Sequence, residues 1–141
     1  MSARDADLTT PLLAAEAFAA GDIGKAVYNN SGIAIADGGG SQGANQLLAI
    51  LGIVTETAAS GEPVTVQRNG ICDCALAGTG GVSIGDYVVA EDGTGKLITV
   101  DEDTVAGGAN YIVGQALTAA SADGRFSLDL DARSVHLEPT P

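Results

Sequence analysis

The residues equipped for chemistry are few. Cys72 and Cys74 sit in "ICDC", and the single histidine, His136, lies in "SVHLEPTP" near the end of the sequence. A thiol nucleophile needs a base within hydrogen-bond reach, and a Pro-bearing C-terminal tail is a poor mount for one. A zinc site would want further Cys or His ligands. On a strand, positions i and i+2 share a face, which suits packing better than a strain-free disulfide between such near neighbours. The pair therefore reads as two small buried hydrophobes in a reducing compartment. Glu56 and Glu62 could serve as an acid–base pair only if burial pushed their pKa values apart.

The loops offer formal matches that fail on inspection. In "DGGGSQG", Gly38, Gly40 and Gly43 follow the strand-like "GIAIA" and precede "ANQLLAIL", which is the layout of a dinucleotide loop. The chain lacks the β-helix-β rhythm of a parallel sheet, however. Lys96 in "GTGKL" is followed by Leu97, where a phosphate loop needs Ser or Thr. In "DEDTVAGGANYI", Asp101 and Asp103 suit a calcium loop, but Val105, Ala106 and Ile112 stand where an oxygen ligand, a glycine and a glutamate belong. No cofactor, no metal and no catalytic residue is expected, and the chain does not read as an enzyme.

What remains is architecture. The 141 residues allow one domain with a real core; 45% are hydrophobic, only 4% aromatic, and 20 are glycine. Short strands of Val, Ile, Leu and Ala joined by tight turns fit that composition, an all-β fold. The net charge is −12, and the six basic residues form no stripe, so neither nucleic acid nor an anionic membrane is an expected partner. The N-terminus lacks a basic n-region, and the longest apolar run, "LLAILGIV", has eight residues, too few to span a bilayer. A soluble protein made in the cytoplasm follows as the expectation.

Along the chain, "KAVYNNSGIAIA" holds two apolar runs around a turn, and "DYVVAEDGTGKLITV" repeats the device at Asp92-Gly93. "VTVQRNGICDCAL" predicts a hairpin at Asn69-Gly70. In "FSLDLDA", Phe126, Leu128 and Leu130 alternate with Ser127, Asp129 and Asp131, predicting one buried and one wet face. Two phrases recur. "GD" before an apolar residue occurs at Gly21 and Gly85, an offset of 64, and "TAAS" follows Gly52 in one copy and Gly114 in the other, an offset of 62. These predict two similar β units, about 21–66 and 85–130, that close on each other as a small Gly-rich barrel or sandwich. Residues 1–20 form either a short helix after Pro11 or an extended arm. Residues 21–131 make the body and 132–141 a tail.

The segments "GDIGKAVYNNSGIAIA", "LAILGIVTETAASGEPVTVQRNGI", "GVSIGDYVVAEDGTGKLITV" and "YIVGQALTAASADGRFSLDL" resemble the capsid decoration (cement) proteins of tailed bacteriophages. The shared pattern falls on Gly85-Asp86, on Gly52, on Gly61 with Val64 and Val66, and on Gly70, and the likeness covers roughly 21–131. The second "TAAS" copy departs from it, being longer before Phe126 and lacking a counterpart of Pro63. The resemblance implies a head-stabilising virion component on the outer capsid surface, a homotrimer at three-fold positions that clamps the major capsid protein. It also implies a terminal arm reaching the shell, with Leu8, Pro11, Leu12, Leu13 and Phe18 as apolar anchors. The rival expectations are a carbohydrate- or ligand-binding β module, disfavoured by having only Tyr28, Tyr87 and Tyr111 for stacking, and a small hydrolase.

Overall fold

A computed structural model describes residues 12–29, 31–36, 50–91, 93–100 and 109–136. Among these, the regular structure is β apart from one 3-10 turn, Ala20–Asp22. The first sheet contains β1 (Ala26–Asn29), β2 (Ile33–Ile35), β3 (Gly52–Val54) and β4 (Val66–Gln67), in the order β2-β1-β3-β4. The second contains β5 (Asn69–Leu76), β6 (Tyr87–Ala90), β7 (Leu97–Thr99), β8 (Ala109–Ala116) and β9 (Arg125–His136), in the order β5-β9-β8-β6-β7. Neighbouring strands run antiparallel in both. The all-β expectation holds, as a sandwich-like pair of sheets and not a closed barrel. No helix among the described residues is long and apolar enough to cross a membrane.

The alternation in β9 does what its period dictates. Phe126, Leu128 and Leu130 are buried, whereas Asp129 and Asp131 are exposed and Ser127 is half-buried. Ala26, Tyr28 and Ile53 of the first sheet join Cys72, Val88, Val113, Leu128 and Leu130 of the second in one apolar cluster. Sheet packing with small aliphatic side chains explains how a chain so poor in aromatics fills its core.

The internal repeat is real, and its register differs from that of the recurring phrases. The order β2-β1-β3-β4 is reproduced by β7-β6-β8-β9. Val27 pairs with Gly52 as Val88 pairs with Gly114, which equates β1 with β6 at an offset of 61. Gly24 and Gly85 then correspond: both have positive φ (96° and 89°), and their N–H groups donate to the equivalent carbonyls of Val54 and Ala116. The true marker is thus Ile-Gly at 23–24 and 84–85, and Gly21 is not the partner of Gly85. Gly52 and Gly114 do correspond. At each, a Cβ would collide with a carbonyl of the next strand, that of Gln67 or of Asp129, so the strands pack only over glycine.

The "TAAS" phrases are also one residue out of step. Phe18 pairs with Ala58 as Val82 pairs with Ala120, yet the letters would align Ala58 with Ala119. This slip absorbs the extra length before Phe126. The turns themselves are alike: Gly61 (φ 84°) corresponds to Asp123 (φ 65°), and the bond from Glu62 N–H to the Ala59 carbonyl recurs from Gly124 to Ser121. Aspartate tolerates the left-handed region better than most residues, which is how the second turn forms without glycine at that position.

Several expectations need correction. Asn69-Gly70 does not turn a hairpin: β4 pairs with β3 and β5 with β9, so the dipeptide opens β5, at the crossing from one sheet to the other. No α-helix follows Pro11; Leu13, Ala14 and Phe18 form extended bridges to Pro63, Ile33 and Ala58. The bridges of Ala14 and Phe18 match those of Ala77 to Leu97 and of Val82 to Ala120. At the other end, β9 runs through His136, beyond the expected tail boundary at 132. The Gly38–Gly43 loop and Asp101 and Asp103 lie outside the described residues.

Candidate contact surface

The N-terminal segment was the expected site, and the structure divides its residues. Leu12 and Leu13 are exposed, at 37% and 47%. Their backbone is nevertheless fixed: the Leu12 carbonyl accepts from Val64 N–H at 2.9 Å and the Leu13 carbonyl from Ile33 N–H at 2.8 Å. The apolar side chains are therefore presented outward from a rigid base. Phe18 is different. It is buried among Ala14, Val27, Ile33, Val54 and Val64, so it anchors the segment to the body. Leu8 and Pro11 lie outside the described residues.

Other large apolar side chains are exposed as well. Ile84 and Leu117 lie at one end of the second sheet, where Gly85 N–H donates to the Ala116 carbonyl. Ile71 and Tyr87 stand on the outer face of that sheet, in the cross-strand row that contains Asp129 and Gln115. The signal was available for Ile71, since alternation along β5 places it opposite in face to the buried Cys72.

The groups that could do chemistry are disposed for structure. Cys72 is buried and Cys74 half-buried, with sulfurs 3.7 Å apart and both thiols free. Burial, with the neighbouring Cys74 and Asp73, pushes the Cys72 pKa up to about 11, so its nucleophilic thiolate is scarce near neutral pH. Glu56 and Glu62 are both exposed, which removes the burial an acid–base pair would require. Partial burial raises the Asp22 pKa, but the Lys25 ammonium 2.8 Å away and the Ala19 N–H outweigh it, and the carboxyl stays below its usual range. Glu91 behaves alike: hydrogen bonds from Thr94 and Thr79 outweigh its desolvation. Each of these two carboxylates is engaged in tying a turn. The hollow beside Tyr87, Gln115 and Asp129 encloses about 120 Å³, below the roughly 300 Å³ at which ligand pockets begin. A second, of about 430 Å³, is lined by Thr79, Ser83, Asp86, Glu91 and Thr99 among others. In it, Asp86 accepts from Thr99 Oγ1 at 2.7 Å and from Ser83 N–H at 2.9 Å. Among the described residues no cluster of His, Cys, Asp and Glu is arranged to hold a metal ion.

Exposed apolar side chains on an acidic β-sandwich, with Asp22, Asp86 and Glu91 bonded to neighbouring turns, are what the described surface offers. A family model described as phage cement protein matches residues 8–129. The chain belongs to the phage cement protein family. Its role is accordingly that of a capsid-associated structural protein, and the match takes in Leu8, Pro11, Leu12, Leu13 and Phe18. None of the curated proteins matches it. Among solved structures, the crystal structure of the head fiber gp8.5 N base in bacteriophage phi29 is similar, with a TM-score of 0.50 and 12% identity. That likeness spans 91% of this cement protein and 97% of the other chain; at such low identity it is a likeness of fold.

Proposed function

We propose that this cement protein decorates the outer surface of an icosahedral phage head, binding the major capsid protein through its N-terminal segment and stabilising the expanded shell. The observation that carries the reading is the fixed, outward presentation of Leu12 and Leu13 in a protein of the cement family. Leu8 and Pro11 are assigned to the same contact. A clamp needs buried surface and no nucleophile, and a modest contact repeated over a shell gains from multivalency. With a net charge of −12, the protein gains nothing from packaged DNA, which favours the outer face. Assembly as a homotrimer at three-fold positions fits this use, since one set of contacts then bridges several shell subunits.

Add-back to particles stripped of the protein tests the reading. Leu12→Asp and Leu13→Asp should each lower occupancy on the shell at least about tenfold, from loss of roughly 1.5 kcal/mol or more of apolar burial per side chain. Both variants should melt close to the parent, because these side chains are exposed in the free protein. Full occupancy by both variants would remove the segment from the contact.

A further inference from the structure

The irregular step in β5 falls on the two cysteines. Three residue steps of β5, Cys72 to Ala75, pass two of β9, Leu128 to Phe126, so β5 carries one residue too many for the ladder. Asp73, between the cysteines, is exposed and accepts from Ser127 Oγ at 2.9 Å. Cys72 and Cys74 both belong to the main apolar cluster, Cys72 buried and Cys74 partly so. Their sulfurs stand 3.7 Å apart, and both thiols are free. The backbone beneath them is held. The Cys74 carbonyl accepts from the Arg125 guanidinium at 3.1 Å, which also binds the carbonyls of Ala20 and Ile23. The objection to a disulfide between positions i and i+2 applies to a regular strand. There the Cα atoms stand about 7 Å apart, at the outer limit of what a disulfide spans. A bulge bends the strand and draws them closer.

We infer that Cys72 and Cys74 form a reversible intrachain disulfide by exchange with low-molecular-weight disulfides. Cys74 attacks first, because it is the partly exposed thiol and Cys72 is fully buried. The burial that pushes the Cys72 pKa up to about 11 also keeps that sulfur from being the first nucleophile. Cys74 Sγ, its proton lost to water, bonds to one sulfur of the small disulfide. The S–S bond of the reagent breaks, and its other half leaves as a thiolate that takes up a proton. Cys72 Sγ, already in contact, then attacks Cys74 Sγ in the mixed disulfide. The second half of the reagent is expelled and carries away the Cys72 proton. Two protein thiols are oxidised and one small disulfide is reduced to two thiols. The bond staples the bulge beside the turn that leads into β1, where Leu76 N–H donates to the Gly24 carbonyl. A ring closed over a single intervening residue restrains the unfolded chain little, so the surrounding thiol–disulfide poise sets whether it is open or closed. This chemistry belongs to the chain alone and does not rest on the shell contact.

Incubating the reduced, folded full chain with oxidised glutathione, followed by intact mass, tests it. The parent should finish lighter by two hydrogen atoms, with no thiol left for N-ethylmaleimide after denaturation, and dithiothreitol should restore both thiols. Cys72→Ala, which keeps a small apolar side chain in the core, should stop as the mixed disulfide, one glutathione heavier. Cys74→Ala should take up glutathione at least about tenfold more slowly than Cys72→Ala, because its remaining thiol is buried. A parent that keeps both thiols, that finishes as the mixed disulfide, or that links two chains would overturn the assignment. Equal rates in the two variants would overturn it as well.

Discussion

At the residue scale, the two units show one volume distributed in two ways. Phe18 and Val64 fill the corresponding positions that Val82 and Phe126 fill in the second unit, with all four buried. The phenylalanine has changed strands while the summed volume is kept, the kind of exchange packed cores tolerate. Phe18→Val should therefore destabilise by about 2–3 kcal/mol through the cavity it leaves. Adding Val64→Phe should recover at least about 1 kcal/mol of that, a coupling expected between sites in one packed cluster. Urea melts of the two single variants and the double variant measure it, and strictly additive losses would contradict the equivalence.

At the scale of elements, glycine placement sets where strands may approach. Gly52 in β3 and Gly114 in β8 lie against carbonyls of β4 and β9. Gly52→Ala and Gly114→Ala should each destabilise by about 1–3 kcal/mol, the ordinary cost of overpacking, and thermal melts would show it; an unchanged melting temperature at either would mean the strands can separate freely there. These glycines were legible in the sequence because the apolar-Gly step recurs and strands of period two surround it. So were the β1–β2 and β6–β7 hairpins and the buried face of β9. What could not be read was the crossing at Asn69-Gly70. A strong local turn signal was overridden because β5 finds its ladder on β9, some 60 residues away in sequence. The N-terminal segment was equally opaque: its apolar residues look alike as letters, and only the bridges to Ile33, Ala58 and Pro63 separate buried Phe18 from exposed Leu12 and Leu13.

At the scale of the molecule, the units are tied to one another as well as packed. The Arg125 guanidinium at the start of β9 donates to the carbonyls of Ile23 and Cys74, and Leu76 N–H donates to the Gly24 carbonyl at 3.2 Å. The turn that leads into β1 is thereby held against the second sheet. Such a tied sandwich, acidic overall and carrying a few fixed apolar side chains, suits a part that adds stiffness to a larger assembly. Its chemistry is that of contact, and the family assigns the contact to a phage capsid. The copy number of this chain in purified particles tests that most directly, by quantitative peptide mass spectrometry against the major capsid protein. Decoration of the whole shell predicts a copy number approaching that of the capsid protein. Particles that lack the chain, with all of it left in the soluble fraction, would contradict the account.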